Sequence, residues 1–563
     1  MRLKIPVGIS DFEEIRQNGY YYVDKSALIS ELLTTSCAKV TLITRPRRFG
    51  KTLGMSMLAD FFDIRRDSRA RFDGLEISGH KTLCSEWMNQ YPTLFLSFKD
   101  VDGLNFPSAW GMLRNRIARL CNEHSYLASS DKVNDNDRKV FFQLADPVDG
   151  KPTDDMIKTS IALIMHMMQA HYGKPVILLL DEYDVPLAKA GSNGYYAQML
   201  EVLRAMMSTA LKDNSSLCFA VITGCLKIAK ESIFTGTNNF VSDTISGSRL
   251  NEYFGFTQQE VENLLAAARL EAHADEIRTW YDGYHFGDAD VYCPWDVLNY
   301  VYDLQSDPKA RPCGYWKNTS DNAIIRSFID SAGSSITMKL ETLLAGGTII
   351  QKIEEELTYD CLNASEDNLW SILYLTGYLT RVRESELSSS LPEDTFALTI
   401  PNREIRDIFE TTILKWFRDS AKTWDRQALF GGVWSGDSEV ITREMNRLLR
   451  RTISYHDYRE DFYHAFLAGI FTGAGYMVES NREHGEGRSD IVVNDPANGQ
   501  AAVFEAKYSR TLEELTESCQ KALQQIDDRK YAENLRDSCD QVLCYGIAFY
   551  KKRCVVMRKK ISS

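Results

Sequence analysis

Through the first 240 residues the apolar positions come in short unbroken runs. Val40-Thr41-Leu42-Ile43-Thr44, Leu94-Phe95-Leu96-Ser97-Phe98, Val176-Ile177-Leu178-Leu179-Leu180 and Leu217-Cys218-Phe219-Ala220-Val221-Ile222 stand out. A continuous run rich in β-branched side chains predicts a strand buried on both faces, as in a parallel sheet. Helical spacing from Ile157 to Met168 falls between the second and third runs, so strand and helix alternate as a parallel α/β fold requires. Such sheets bind ligands at the carboxyl ends of their strands. Chemistry is therefore expected in the residues just after each run.

After Phe240 the pattern changes. Gln258 to Arg269 has helical spacing, and Trp280-Tyr281-Asp282-Gly283-Tyr284-His285-Phe286 is dense in aromatics. Base stacking is one use of such a stretch; a turn pinned into a core is favoured, with His285 structural. Leu369 to Tyr378 predicts a helix, Leu379–Arg383 and Phe396–Ile400 two strands, and Asn402 to Phe417 a helix with Asn402 as its cap. Helix, hairpin and helix resemble a winged helix. Its wing carries Glu384, Glu386 and Glu393, which favours bracing over DNA contact.

The last 120 residues predict a helix from Tyr458 to Phe471 and strands at Tyr476–Glu479, Arg488–Val493 and Ala502–Lys507. A helix from Leu512 to Asn534 and strands at Gln541–Tyr550 and Cys554–Met557 complete the series.

Three strand ends in the first third carry candidate chemistry. The first run leads into Arg45-Pro46-Arg47-Arg48-Phe49-Gly50-Lys51-Thr52, the second half of a phosphate-binding loop, with Arg45 where the pattern has its first glycine. Backbone N–H groups of the loop and the adjoining helix start would wrap phosphate, Lys51 would reach the β- and γ-phosphates, and Thr52 would hold Mg²⁺. The third run ends in Asp181-Glu182-Tyr183-Asp184: Asp181 is the candidate for Mg²⁺ through water, Glu182 for polarising the attacking water. A helix cap is the competing explanation. Thr223 ends the fourth run as a γ-phosphate sensor or as a plain turn. Upstream, Tyr20 to Ile29 reads as a strand end and a helix capped by Asp24 or Ser26, with packing beside a nucleotide base as the alternative.

At the other end of the chain, strand alternation puts Glu505 and Lys507 on one face, with Phe504 and Ala506 on the packed face. Asp490, fifteen residues earlier across a turn, is placed to meet Glu505. Two converging carboxylates make a hard-oxygen site for Mg²⁺ or Mn²⁺, and Lys507 would orient or deprotonate water and stabilise charge on a scissile phosphate. An exposed Glu-x-Lys pair on a solvated face is the competing reading. The preceding Gly-Arg-Ser-Asp and Glu460 on the upstream helix weigh against it.

Together and in this order, the Tyr-Val-Asp-Lys-Ser lead-in, the arginine-rich loop, the Leu-Leu-Leu-Asp-Glu-Tyr-Asp strand, the Val-Ile-Thr-Gly strand and the aromatic stretch resemble the AAA-ATPase-like family of P-loop proteins. Asp490, Glu505 and Lys507 resemble the signature of a PD-(D/E)XK nuclease, a domain that members of the family often carry at the C-terminus. The resemblance covers essentially the whole chain and makes the loop without a first glycine the expected form. It implies an α/β architecture: a P-loop NTPase parallel sheet over 1–240, a helical and winged-helix-like middle over 241–440, and an α/β nuclease-like domain over 441–563. ATP would contact Arg47, Arg48, Phe49, Gly50, Lys51, Thr52, Asp181 and Thr223, with Glu182 catalytic. Metal would sit at Thr52 and Asp181 in one site and at Asp490 and Glu505 in the other. Lambda-exonuclease-like relatives use a glutamine and a tyrosine on the helix that here carries Gln524, Gln525 and Tyr531; a solvated helix face explains the glutamines as well.

Composition narrows the partners. Net charge is −13, so nucleic-acid contact must be local. Lys551, Lys552, Arg553, Arg558, Lys559 and Lys560 form one basic patch, suited to a phosphodiester backbone or to protecting an edge strand. Twelve cysteines include no C-x-x-C pair, so neither zinc nor disulfides are expected. No run approaches a membrane span and Met1 to Pro6 lacks a signal core, so a cytoplasmic protein without a membrane partner is expected. Arg204 is the candidate arginine finger; acting in trans, it would imply a homo-oligomer. The leading expectation is an ATPase controlling a Mg²⁺-dependent nuclease on DNA, ahead of RNA. The alternatives are a nucleotide-dependent signalling switch that uses the nuclease fold as a binding module, and an ATPase that remodels a protein partner.

Overall fold

The computed structural model describes residues 2–35, 38–146, 152–227, 240–316, 334–357, 365–387, 391–392, 394–422, 427–452, 460–472, 476–480, 483–484, 487–488, 491–496, 498–528, 535, 539–550 and 553–559. The chain divides into two compact units, residues 1–320 with 350–405, and residues 321–349 with 406–563.

The first unit is organised by five strands: β1 (Val40–Thr44), β2 (Thr93–Ser97), β3 (Val176–Asp181), β4 (Leu217–Gly224) and β5 (Phe240–Asp243). Every pairing is parallel and the order is β2-β3-β4-β1-β5. β1 and β3 are buried along their whole lengths, as their unbroken apolar runs require. Helices Phe106–Glu123, Asp154–Tyr172 and Tyr196–Leu211 supply Ile117, Met168 and Met206 to one core with Leu42, Leu96, Leu178 and Ile222. The insertion of β4 between β1 and β3 decides the site: it sets Thr223 between the two strand ends that carry the loop and the acids.

The lead-in differs from its expectation. Tyr20 to Tyr22 forms no strand, and the helix Ala27–Thr34 has no side-chain cap at Ser26. Asp24 instead accepts from the Ser26 and Glu76 amides, and the Ser26 hydroxyl accepts from the Ile77 amide, so these polar residues tie the segment to a neighbouring turn.

The aromatic stretch is core. Tyr284 and Phe286 sit on β6 (Tyr284–Phe286), paired antiparallel with β7 (Ala289–Val291), and both are buried with Tyr281. The Tyr281 hydroxyl exchanges hydrogen bonds with the amide and carbonyl of Cys313. His285 contacts Asp290 at 2.9 Å, and burial with Arg381 and Arg383 nearby lowers its pKa.

Helix, hairpin and helix come next as Glu366–Leu375, β9 (Thr380–Arg381) with β10 (Thr395–Thr399), and Arg403–Lys422, joined by a third strand, β8 (Ile349–Lys352). Hydropathy conceals β8. Ile350 points outward and is 59% exposed while Gln351 is buried beside Asp367. Asn402 caps as expected: its Oδ1 accepts from the Ile405 amide and its Nδ2 donates to the Asp282 carbonyl. Of the wing acids, Glu393 lies outside the described residues.

The second unit holds β11 (Met477–Ser480), the short pair β12 (Glu483–His484) and β13 (Gly487–Arg488), and β14 (Ile491–Asp495), β15 (Gln500–Tyr508), β16 (Gln541–Tyr550) and β17 (Arg553–Arg558). The main sheet runs β11-β14-β15-β16-β17 and is antiparallel except at β15 and β16, which helix Leu515–Asp528 connects in a crossover. β17 is an edge strand covered by helix Ser438–Thr452. Thr442 accepts from the Val556 amide, and Asn446 exchanges bonds with both backbone groups of Cys554. A helix thus satisfies groups that would otherwise template aggregation.

Cysteines among the described residues are all free thiols, and no helix there is long and apolar enough to cross a membrane.

Gly283 joins these parts of the first unit at close range. Its φ is 95°, and a Cβ there would lie 2.0 Å from the Pro401 carbonyl oxygen. Gly283→Ala is expected to destabilise by about 1–3 kcal/mol through this overpacking, read by urea unfolding; an unchanged midpoint would contradict it.

Candidate nucleotide and nuclease sites

Beyond β1 the loop residues divide by direction. Arg45 turns inward and is fully buried. Its guanidinium meets Asp243 Oδ1 at 2.8 Å and donates to the carbonyls of Asp243 and Thr44, and it lies 5.6 and 5.8 Å from the ring centres of Phe254 and Phe286. The residue in the first-glycine position is thus a bolt between β1 and β5. Phe49 is buried against Tyr284 and Phe286, so its side chain belongs to the core. Arg48 takes φ 73°, and its guanidinium lies 4.1 Å from the centre of the Trp295 ring. Cys293 Sγ contacts the Arg48 carbonyl at 3.9 Å.

The end of the loop points the other way. Gly50 has φ 83° at the start of helix Lys51–Phe62. Lys51 Nζ donates to the carbonyls of Arg45 and Pro46, each at 2.8 Å, inside the curve of the loop. Thr52 Oγ1 donates to Asp181 Oδ2 at 2.9 Å, while Thr223 Oγ1 donates to Asp181 Oδ1 at 2.6 Å. Two strand ends and the loop therefore deliver one carboxylate and two hydroxyls to one point. Asp181 is fully buried, so these hydroxyls replace the water its charge would otherwise hold.

Next to it Glu182 has φ 53°, a strained conformation for a non-glycine residue of the kind that clusters at working sites. Burial raises its pKa first and the Asp181 charge adds to this; Lys51 opposes both. The remaining two residues of Asp-Glu-Tyr-Asp face elsewhere. The Tyr183 hydroxyl donates to the Leu226 carbonyl, and Asp184 accepts from the Cys225 and Leu226 amides rather than capping its own helix. Arg204 is exposed on helix Tyr196–Leu211.

In the second unit, Glu505 and Lys507 share a face of β15, and Lys507 Nζ lies 3.1 Å from Glu505 Oε1. Phe504 and Ala506 enter the opposite core, whereas Val503 packs with Ile526 on the Glu505 side. Both faces are covered. Glu505 is fully buried, which rules out the solvated-face reading. β14 and β15 pair from Asp495–Gln500 to Ile491–Phe504, the residue before Glu505. Asp490 and Tyr531 lie outside the described residues, as does the Glu460 side chain. Gln525 is half-buried and Gln524 exposed. Among the described residues no group of three or more His, Cys, Asp and Glu side chains is placed to hold a metal.

Residues 6–234 match the AAA-ATPase-like family, described as Predicted AAA-ATPase, and residues 458–559 match the PD-(D/E)XK nuclease superfamily. The chain carries an N-terminal AAA-ATPase-like domain and a C-terminal PD-(D/E)XK nuclease-like domain. A protein from Azotobacter chroococcum mcd 1, named as an uncharacterized protein in the vnfD 5′ region, is 25% identical over 560 residues, covering 97% of this chain and 96% of its own length. That likeness runs through both domains and the segment between them.

Several residues that shape the AAA-ATPase-like site were not legible as such. Asp243, Cys293, Trp295 and Asp296 lie some 200 residues or more beyond the loop and match no nucleotide motif. Asp296 is buried, and its charge acts on Arg48. It also faces Glu404, whose carboxyl is pushed well above the usual carboxylate range by burial and then by Asp296. The aromatic stretch was the one available signal, since Tyr284 and Phe286 pack on the loop.

These buried charges lead to two expected outcomes. Asp243→Asn leaves the Arg45 guanidinium buried without its carboxylate and is expected to cost about 3–5 kcal/mol in urea unfolding, while Arg45→Met with Asp243→Leu costs less than that single change. Equal losses in the two variants would contradict the ion-pair account. Glu404 has a folded pKa raised above its unfolded value, so its contribution is complete below the ordinary carboxylate range and is lost as pH rises from there through neutrality. Melting temperature is expected to fall over this range, and Glu404→Gln should flatten the profile; a parallel profile in the variant would refute the assignment.

Proposed function

We propose that the protein binds and hydrolyses ATP with Mg²⁺ at Lys51, Thr52, Asp181, Glu182 and Thr223, and that its nucleotide state controls a metal-dependent nuclease acting on DNA through Asp490, Glu505 and Lys507. The observation that carries the first half is the Asp181 carboxylate held by the Thr52 and Thr223 hydroxyls at 2.9 and 2.6 Å. Hard oxygen donors from a loop threonine and a strand-end aspartate fit Mg²⁺ with its retained waters. The metal, when bound, supplies charge neutralisation between the phosphate oxygens. Lys51 binds phosphate by exchanging the Arg45 and Pro46 carbonyls for phosphate oxygens. Glu182, its pKa raised, accepts a hydrogen bond from water and orients it. Thr223, on the strand between, reports whether the terminal phosphate is present.

The second half is supported by the burial of Glu505 with Lys507 at 3.1 Å, a pairing suited to an acid that holds metal and an ammonium that steadies phosphate charge. Asp490 and Glu505 are the proposed metal ligands, for Mg²⁺ or Mn²⁺.

Lys51→Ala is expected to weaken ATP binding at least tenfold in equilibrium dialysis. Glu182→Gln should keep binding and lower turnover by about 10²-fold or more. Lys507→Ala should abolish cleavage of duplex DNA with Mg²⁺ or Mn²⁺ and leave ATP hydrolysis intact. Wild-type protein that hydrolyses ATP yet cuts no nucleic acid under these conditions would instead make the second domain a binding module.

A further inference from the structure

Edge strand β17 and helix Ser438–Thr452 of the second unit border a groove of about 750 Å³. Arg443, Arg447 and Arg553 line it with Leu512, Leu515 and Val555, and among the described residues its lining includes no carboxylate and no aromatic ring. In a chain of net charge −13, a cleft with three guanidiniums, two of them paired to Glu444, is a local exception. The helix builds it by spacing. Thr442 and Asn446, four residues apart, are committed to the β17 backbone, and the next column, Arg443 and Arg447, stands beside it at the same interval. Glu444, itself buried, lies 3.2 Å from Arg443 and 3.9 Å from Arg447, while the two arginine side chains remain 65% and 62% exposed. Arg553 is also exposed.

The groove has a fixed relation to Lys507. Lys507 pairs with Ala548, and Ala548 with Val555, so all three occupy one rung of the sheet and share a face. Ala548 packs with Leu515 and Val555 on that face. Two strand spacings, about 10 Å, separate the Val555 and Lys507 backbones.

Resting on the nuclease reading above, we propose that this groove is a docking surface for the phosphodiester backbone of duplex DNA, set beside helix Leu515–Asp528, which covers the rung between the groove and Lys507. Guanidiniums bind phosphate by bidentate hydrogen bonds, and contacts of that kind set register without reading sequence. Single strands are held by stacking on aromatic side chains, and among the described residues the lining has none; that favours the duplex.

The test uses the full chain in EDTA with a fluorescently labelled 30-base-pair duplex, following anisotropy across a salt series. The variant carries Arg443→Gln, Arg447→Gln and Arg553→Gln, and Arg553→Gln alone serves as a milder second variant, both checked by thermal melting. We expect at least a tenfold loss of affinity in the triple variant, a smaller loss in the single one, and a salt slope shallower by about 2.7, near 0.9 per phosphate contact. Unchanged affinity and slope in a folded triple variant overturn the proposal, as does tighter binding of single-stranded DNA or RNA than of duplex. If the wild type cuts DNA while the triple variant binds and cuts equally well, the groove fails and the nuclease reading stands. If the variant loses binding while the wild type never cuts, the groove stands and the nuclease reading fails.

Discussion

A carboxylate cannot be buried without partners, and Asp181 is buried completely. Its two oxygens are met by Thr52 from the loop after β1 and Thr223 from the end of β4. That arrangement exists only because β4 lies between β1 and β3 in a wholly parallel sheet, so that three carboxyl ends converge on one edge. The loop curvature, the left-handed Glu182 and the buried ammonium of Lys51 are arranged around this point. A different strand order would strand the acid.

The arginine-rich loop serves that constraint in an indirect way. Three of its side chains pack on other parts of the first unit: Arg45 on Asp243, Phe49 on Tyr284 and Phe286, and Arg48 on Trp295. A first glycine would let the backbone turn by conformational freedom. Here the turn is held by an ion pair and aromatic packing. This explains why residues 240–300 and the parallel sheet fall in one compact unit, and why the aromatic stretch is buried rather than displayed.

The nuclease-like domain obeys a similar logic with a different sheet. Its parallel pair β15 and β16 places Glu505 and Lys507 on the face that helix Leu515–Asp528 covers. Burial brings the ammonium to 3.1 Å from the acid, a contact that a solvated pair would hold only weakly. Edge strand β17 is closed by Thr442 and Asn446. Closing the edge leaves the adjoining arginines at the surface.

Local sequence was enough to set four of the five strands of the first sheet, the polar residues at their ends and the α/β class of both domains, because unbroken apolar runs and short motifs are local properties. Asn402 as a cap and the Glu505 and Lys507 face were legible for the same reason: each depends on neighbours a few residues away. Tertiary packing alone settled that Arg45 is a buried bolt, that Phe49 is core, that Asp24 and Ser26 bridge rather than cap, and that β8 exists with Gln351 inward. Each of those depends on a partner from 16 residues away, as Asp367 is to Gln351, to 237, as Phe286 is to Phe49. Pairing at such distances is set by the packing of whole elements. No pattern in a short window of sequence encodes it.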